Sequence, residues 1–223
     1  MAIPKVIYQT FKTSKIPFIT RFYIWRFMRK NPGYVHEFYD DARIDAFIRN
    51  AFDIEVYEAY ARLQIGAAKA DFFRYAILYK KGGIYLDLDS DISGGLDRHI
   101  TEADQAVITK EKNHPEYYAQ WALIYEKDHP FLKRTIAYIV SNIQKNAFPH
   151  DVHAMTGPSI YTKAIQDELH LNPAVPYRVV EHDYNGFMKF KYKLGKILIY
   201  GDRSKHWKKL QKVIPVVKPL SKD

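Results

Sequence analysis

The sequence predicts an α/β fold in which a mainly parallel, Rossmann-like sheet is flanked by helices. Short apolar segments typical of buried strands alternate with longer amphipathic segments typical of helices, and this alternation favours parallel strands joined by helical crossovers. The chain has 223 residues, 47% hydrophobic and 26% charged, which is enough for one domain with a substantial core. Because no linker, repeat or low-complexity tract divides it, we predict a single domain over residues 1–223.

The first half of the chain supplies the centre of the predicted sheet. A helix over residues 67–81 is expected to end at Gly82, because glycine readily adopts the left-handed conformation found after helices. The strand that follows is short and wholly apolar, so we expect it in the middle of the sheet. Asp40 and Asp41 offer an N-cap to an earlier helix. The predicted strands are residues 6–9, 34–39 and 84–86, and the predicted helices are 18–30, 42–50, 54–62 and 67–81.

The second half shows a weaker pattern. Lysines are frequent from residue 204 to the end, and beyond Tyr184 the periodicity allows only one further strand, at 196–200. A loop is expected over residues 149–157. The predicted strands here are residues 106–109 and 177–180, and the predicted helices are 115–124, 131–146 and 159–169.

Composition limits the partners and the compartment. Lys and Arg number 34 against 25 Asp and Glu, a formal net charge of +9, which favours a phosphorylated ligand, nucleic acid or an acidic membrane surface. Of these we expect no nucleic acid. The absence of cysteine excludes disulfides and thiolate metal sites. No segment resembles a signal peptide or a bilayer span, so we expect a cytoplasmic protein, soluble or peripheral on the inner face of a membrane.

The predicted helix over residues 18–30 is unusually rich in aromatic and basic side chains. Such a helix can lie in a membrane interface, or it can pack on the sheet with its arginines in water, and we favour the second interpretation. If the chain does bind anionic membranes, the binding should weaken with salt. The cations expected to mediate it are Arg21, Arg26, Lys208, Lys209 and Lys212.

Three aspartates follow the central strand, at positions 87, 89 and 91. A strand projects residues i and i+2 to the same side, so Asp87 and Asp89 are expected to point together from its carboxyl end. Ligands of open α/β sheets bind at such ends, and paired carboxylates there suit a hard divalent cation with its phosphate. On the preceding helix, Asp71 and Arg74 are three residues apart and can meet. The sequence therefore predicts a metal and phosphate site.

These residues resemble a known family. The segments ADFFRY (residues 70–75) and GGIYLDLD (residues 82–89) resemble the sugar-binding region of glycosyltransferase family 32. This family includes fungal initiating mannosyltransferases, bacterial capsule and lipopolysaccharide transferases, and the glucosylating domains of large clostridial toxins. Weaker landmarks of the family fall in the right order at residues 3–10, 31–34, 40–41, 129–132 and 156–158.

The resemblance implies a GT-A fold, a nucleotide-sugar donor, a divalent metal that is usually manganese but can be magnesium, and retention of anomeric configuration. It assigns Asp89 as a direct metal ligand. Asp87 would contact the ribose or the metal, and Asp71 and Arg74 would bind hydroxyls of the donor sugar.

Further donor contacts are implied outside the aspartates. Tyr85 would lie near the ribose or diphosphate, next to the glycine turn that contains Gly83. Phe11 occupies the place of an aromatic, often Trp, that stacks on the nucleobase. The family often carries a His and a Trp near the C-terminus that complete the metal and diphosphate site. Here His206 and Trp207 are adjacent, so His206 is either a metal or diphosphate ligand or a solvent-facing residue.

Several of these residues also have a structural alternative. Asp71 and Arg74 could form a surface ion pair worth less than about 1 kcal/mol. Tyr85 and Phe11 could be core residues. Asp91 suits a simple turn as well as it suits the surroundings of a metal.

The predicted function is a metal-dependent, retaining glycosyltransferase that moves a hexose or N-acetylhexosamine from a UDP- or GDP-linked sugar. Its acceptor would be a glycan or a lipid-linked saccharide, in polysaccharide or glycolipid biosynthesis. We expect a donor-binding core at about residues 3–110 and an acceptor side with a C-terminal lid at about 111–223. One alternative is a nucleotidyltransferase, which the lack of a glycine- and arginine-rich phosphate loop disfavours. The other is a non-catalytic basic membrane-binding module, which leaves the aspartates unexplained.

Overall fold

The computed structural model describes residues 2–190 and 207–219. The strand predicted at 196–200 and the residue His206 lie outside this part of the chain. The strands are β1 (Val6–Thr10), β2 (Val35–Tyr39), β3 (Gly83–Leu86), β4 (Asp91–Ile92), β5 (Ala106–Thr109), β6 (Ala122–Tyr125), β7 (Arg178–Val180) and β8 (Met188–Lys189). The helices are α1 (Phe18–Lys30), α2 (Asp41–Ala51), α3 (Ile54–Arg62), α4 (Gly66–Lys81), α5 (Pro130–Lys145), α6 (Val152–Met155), α7 (Pro158–Leu171) and α8 (Trp207–Leu210).

Six strands form one mainly parallel sheet in the order β2-β1-β3-β6-β5-β7. Strand β6 alone runs antiparallel to its neighbours β3 and β5 in this sheet, whereas the other pairs are parallel. The prediction that the strand before the aspartates is central is confirmed. The short strands β4 and β8 pair antiparallel in a second, two-stranded sheet.

The helix predicted at residues 115–124 is wrong. Its last three residues belong to strand β6, and the residues before them form turns and extended chain. All four residues of β6 are buried, because this strand lies inside the sheet with layers on both faces. A strand buried on both faces lacks the alternation of apolar and polar residues, so its sequence is easily taken for a buried helix.

The two faces of the sheet bury different layers. Residues alternate along the central strands: Tyr85 belongs to the larger core, while Ile84 and Leu86 belong to the smaller one. Helices α2–α7 cover the first face, and α1 with the β4–β8 sheet covers the second. The result is a three-layer α/β arrangement, and the same alternation directs the side chain of Asp87, which follows β3 immediately.

Local signals set the helix boundaries. Asp40 caps α2 by accepting a hydrogen bond from the backbone N–H of Arg43 at 3.0 Å, as predicted. Gly82 follows α4 with φ +65°, and a Cβ there would lie 2.7 Å from the backbone nitrogen of Lys127. The positive φ is confirmed, although ψ of −173° is not that of the left-handed helix.

The segment after α8 packs against the end of α3 and the loop after α5. Val216 accepts a hydrogen bond from the backbone N–H of Gln64 at 2.9 Å and donates one to Pro149 at 2.6 Å. Leu63 and Val217 form an antiparallel bridge.

No helix within the described residues is both long and apolar enough to cross a membrane.

Candidate active site

The aspartates lie at the switch point of the large sheet. Strand β1 is flanked by β2 on one side and β3 on the other, and all three run parallel. Chain connections leave such a point in opposite directions, which opens a crevice at the carboxyl ends of the strands. The fully buried Gln9 of β1 crosses this crevice, donating from Nε2 to the backbone carbonyl of Asp87 at 3.3 Å.

The chain turns directly after β3. The N–H of Asp87 still donates to the carbonyl of Trp121 at 2.7 Å, but the carbonyl of Asp87 accepts from Ser90 at 2.9 Å, which closes a turn over residues 87–90. Asp89 lies inside this turn and is only 2% exposed. The strand alternation therefore stops before Asp89, and the expected reason for Asp87 and Asp89 to point together is wrong.

Arg74 joins two of the predicted carboxylates. Its Nη2 lies 3.2 Å from Oδ1 of Asp71 on the same helix and 3.2 Å from Oδ1 of Asp87 after β3. The side chains of Asp71 and Arg74 are each 6% exposed, so their pairing is buried and the surface ion pair is excluded. The structure brings Asp71, Arg74 and Asp87 into one cluster.

Burial dominates the electrostatics of this cluster. It raises the pKa of Asp71 to about 7, against the stabilising effects of Arg74 and a hydrogen bond from Thr156. Burial also disfavours the charge of Arg74, but the facing Asp87, Tyr85 and Asp71 outweigh it and raise the pKa of the guanidinium. Arg74 is thus a fixed cation that holds two acidic groups in a poorly hydrated site.

Tyr85 is a core residue that also contacts the cluster, and its expected place near the ribose or diphosphate stays a prediction. It is 1% exposed and belongs to the larger core, and its hydroxyl donates to Oδ1 of Asp87 at 3.1 Å. The guanidinium carbon of Arg74 stacks over its ring at 4.7 Å. Since Tyr85 and Asp87 are two residues apart, strand alternation places both towards α4 and explains these contacts.

Two polar residues of the second half complete the cluster. Gln120 accepts from Arg74 Nη1 through its backbone carbonyl at 2.7 Å, and its Nε2 donates to Asp71 at 3.2 Å. Its Oε1 also accepts a hydrogen bond from the hydroxyl of Tyr75. Thr156 donates to the other oxygen of Asp71 at 3.0 Å. Sequence reasoning missed Gln120 because it placed this residue in a helix, and it noted Thr156 only as a landmark.

Asp91 has a different partner from the other aspartates. It begins β4 and forms an ion pair with Arg26 of α1. Burial raises the pKa of Asp91, and Arg26 opposes this. Ser90 Oγ and Asp91 Oδ1 are buried without a hydrogen-bond partner among the described residues. Asp91 therefore ties α1 to the segment that follows the turn.

Phe11 lies close to the turn. It follows β1 directly and packs, with Ile16 and Phe38, around Leu88, the residue between Asp87 and Asp89. A cavity of about 490 Å³ adjoins this group, lined by Ser14, Lys15, Ile16, Arg21, His36 and Phe38. The first half of the chain thus places the ring of Phe11 against the turn, and the neighbouring cavity is lined by the cations Lys15 and Arg21.

Gly83 is not part of the cluster. It begins β3, at the end of the strand opposite Asp87. Its φ is +106°, and a Cβ would lie 2.8 Å from the carbonyl oxygen of Val6. This close approach between β3 and β1 accounts for a glycine here without any ligand.

Near the C-terminus, Trp207 stacks on His153 with ring centroids 5.4 Å apart.

A divalent metal at this site would need phosphate oxygens of a ligand in addition to the protein carboxylates. Within residues 2–190 and 207–219, no group of three or more His, Asp or Glu side chains could hold a metal by itself. Asp87 is 25% exposed and meets Arg74 and Tyr85 through the same oxygen, Oδ1. Magnesium or manganese is commonly held by one or two carboxylates with phosphate oxygens and water. Asp87 is a carboxylate of this kind, and Asp89, which is buried inside the turn, is the second candidate ligand.

Comparison with protein families and curated relatives gives a consistent result. The family model described as "Glycosyltransferase sugar-binding region containing DXD motif" matches residues 17–106. An initiation-specific alpha-1,6-mannosyltransferase of Schizosaccharomyces pombe is 32% identical over 202 residues, 75% of this chain and 49% of the relative. An uncharacterized glycosyltransferase of Acanthamoeba polyphaga mimivirus is 31% identical over 187 residues, 82% of this chain and 72% of the relative.

A further relative and a solved structure extend the comparison. An inositol phosphoceramide mannosyltransferase of Schizosaccharomyces pombe is 30% identical over 162 residues, 70% of this chain and 41% of the relative. The chain spans about half the length of the yeast relatives that it matches. The structure of the PaToxG glycosyltransferase superposes with a TM-score of 0.64 at 19% identity, covering 78% of this chain and 73% of that one. The fold is thus that of a GT-A glycosyltransferase domain.

Proposed function

Because this chain belongs to the glycosyltransferase family whose sugar-binding region contains the DXD motif, we propose that it transfers a hexose from a nucleotide sugar in a metal-dependent reaction. The acceptor is a glycan or a lipid-linked saccharide, in polysaccharide or glycolipid biosynthesis. The observation that carries this proposal is the buried Arg74, which links Asp71 and Asp87 at the switch point of the sheet.

Asp87 and Asp89 would hold the metal, which would be manganese or magnesium. When bound, such an ion neutralises the charge that grows on the leaving nucleoside diphosphate. The contribution of the protein is to fix the Asp87 carboxylate, whose Oδ1 contacts both Arg74 at 3.2 Å and the hydroxyl of Tyr85 at 3.1 Å. A carboxylate fixed in this way needs little reorganisation when the donor arrives.

The sugar lies on the side of Asp71. In the described chain the two oxygens of Asp71 accept from Gln120 and Thr156. A hydroxyl of the hexose would either replace one of these two hydrogen bonds to Asp71 or add a further one. Arg74 would bind another hydroxyl from the opposite side. Because Gln120 and Thr156 come from the second half, the sugar is enclosed between the predicted donor core, at about 3–110, and the acceptor side, at about 111–223.

The nucleotide occupies the other side of the turn. Phe11 supplies a face on which a base stacks, and Lys15 lines the adjoining cavity, where a cation would lie close to phosphate or ribose. Two of the yeast relatives are mannosyltransferases, which makes mannose the first hexose to test. N-acetylhexosamines remain the second class, and both GDP and UDP are candidate carriers.

A panel of donors tests the proposal. Purified chain is incubated with GDP- and UDP-linked hexoses and N-acetylhexosamines, with and without manganese, and slow hydrolysis of the donor is measured without acceptor. We expect hydrolysis of one class of donor that is lost when the metal is chelated. Binding and hydrolysis of none of the donors would contradict the proposal.

Retention of configuration is the stereochemical part of the proposal, and it rests on the family resemblance. Once a donor and an acceptor are known, nuclear magnetic resonance of the fresh product identifies its anomer. We expect the anomeric configuration of the donor to be kept, and an inverted product would exclude a retaining reaction.

A further inference from the structure

We propose that the outward face of α1 is a docking surface for an anionic lipid bilayer. We call it the α1 aromatic face and define it by Phe18, Phe22, Trp25 and Arg29. Their spacing places all four on one side of a helix. Phe18, Phe22 and Trp25 are 82%, 44% and 53% exposed, whereas the opposite side buries Thr20 and Phe27 against the domain.

The exposed aromatics form a group. The rings of Phe22 and Trp25 are 5.8 Å apart, and the guanidinium of Arg29 lies 5.0 Å from the centre of the Trp25 ring. Tryptophan and arginine side chains each have an apolar part and a polar end. At the headgroup level of a bilayer the apolar part contacts acyl chains while the polar end stays hydrated. The favoured expectation of a helix that shows water only its arginines is therefore incomplete.

Charge identifies an anionic surface as the partner. The first acidic residue of the chain is Glu37, and the 36 residues before it carry seven cations. Basic residues next to an amphipathic helix are attracted to anionic lipid headgroups. Of the cations expected to mediate such binding, Arg26 is instead engaged with Asp91.

A protein partner fits this face less well than a bilayer does. A helix of 13 residues is about 20 Å long and 10 Å wide, so one face offers about 200 Å². Stable protein interfaces bury about 800 Å² on each partner. A second copy docking on the same face would also bring the arginines of both copies together, which like-charge repulsion opposes.

The position of α1 gives this surface a role in the proposed transfer. Arg26 pairs with Asp91, and the Nζ of Lys30 donates to the carbonyl of Ser93 at 2.7 Å, so α1 is fastened to the segment after the aspartates. The segment after the aspartates then lies about one helix diameter from the lipid. This consequence rests on the proposed function: it suits an acceptor that is anchored in the membrane.

Vesicle binding tests the proposal directly. The full chain is sedimented with vesicles of phosphatidylcholine alone or mixed with phosphatidylserine, at low and high salt. We expect binding to the mixed vesicles that weakens with salt, and a loss of about tenfold or more in partitioning for the double variant Phe22→Ala and Trp25→Ala. The matched control, Phe148→Ala with Tyr177→Ala, removes two other exposed aromatics and should bind as the wild type does.

The contribution of charge is measured with a second pair of variants. Arg29→Gln with Lys30→Gln should weaken binding more than Lys209→Gln with Lys212→Gln, which removes the same charge from the C-terminal segment. Lipids brominated in the upper acyl chains should quench Trp25, and Trp25→Phe should lose this quenching while it keeps most of the binding. Equal losses in the two charge variants would overturn the assignment to α1.

Two further results would overturn the docking proposal, and one would separate it from the proposed function. Absence of binding to anionic vesicles at low salt would overturn the proposal, and so would a concentration-dependent dimer that Phe22→Ala with Trp25→Ala abolishes. Hydrolysis of a water-soluble donor should be unchanged in that variant. If vesicle binding occurs as expected but no donor is hydrolysed, the proposed function fails while the docking surface stands.

Discussion

At the scale of residues, Arg74 organises the site because it touches groups from three parts of the chain. Its contact with Asp71 follows from helix spacing and could be predicted. Its contact with Asp87 depends on how α4 lies against β3, and its contact with the carbonyl of Gln120 depends on the position of β6. Sequence spacing reports neighbours within an element and gives no distance between elements.

The first residue-scale prediction concerns the pH dependence of Asp71. Burial raises its pKa to about 7 from 3.8. Between these values the unfolded chain has released a proton that the folded chain still holds, so the contribution of this group to the free energy of unfolding falls as pH rises from about 4 to 7. The variant Asp71→Asn has no titrating group at this position, so this decrease in the free energy of unfolding should be absent. Urea unfolding across this range should show wild type losing stability relative to the variant, and parallel curves would refute the raised pKa.

A second prediction concerns Gln120. Gln120→Ala keeps the backbone carbonyl that binds Arg74 but removes the amide between Asp71 and Tyr75. We expect a loss of about 1–2 kcal/mol in the free energy of unfolding, together with weaker donor binding. Gln144→Ala is the control, because Gln144 bonds only to the exposed Glu55 in the described chain. Unchanged donor affinity in Gln120→Ala would remove this residue from the sugar side.

At the scale of elements, Gly83 lets β3 lie close to β1, and this pairing places the turn after β3 at the switch point of the sheet. The prediction is that Gly83→Ala destabilises the fold by about 2 kcal/mol or more, because φ of +106° strains any side chain and the Cβ meets the backbone of β1. Gly66→Ala is the matched control, since a Cβ there meets nothing within 4 Å. Chemical unfolding measures both. Gly83→Ala with full stability but no donor binding would instead support the donor-binding role implied for Gly83.

Element types were predictable where patterns were regular. Helices α2, α3 and α4 and the strands β1, β2 and β3 have caps, periodicity or glycines that mark them. Strand β6 has none of these, because both of its faces are buried, and the error over residues 115–124 concealed Gln120. Asp91 could not be assigned either, since its partner Arg26 is 65 residues away in sequence.

At the scale of the whole molecule, the order of elements predicts a mainly parallel sheet, and open α/β sheets bind their ligands at the carboxyl ends of the strands. The identity of that ligand depends on residues rather than on the fold. In the proposed function the second half of the chain sets the acceptor, and there the loops and the segment beyond Tyr184 carry little periodic signal in the sequence. The positive charge belongs to this scale too, since a net charge of +9 favours anionic partners for the molecule as a whole.

The central claim is that the turn after β3 binds a nucleoside diphosphate together with a divalent metal. Isothermal titration of UDP and GDP into the chain, with and without manganese, measures this without a known sugar or acceptor. We predict that one of the two binds about tenfold or more tightly with manganese, that Asp89→Asn loses this gain, and that Asp97→Asn, a change at an exposed aspartate, keeps it. Equal affinity with and without manganese, or an undiminished gain in Asp89→Asn, would contradict the account.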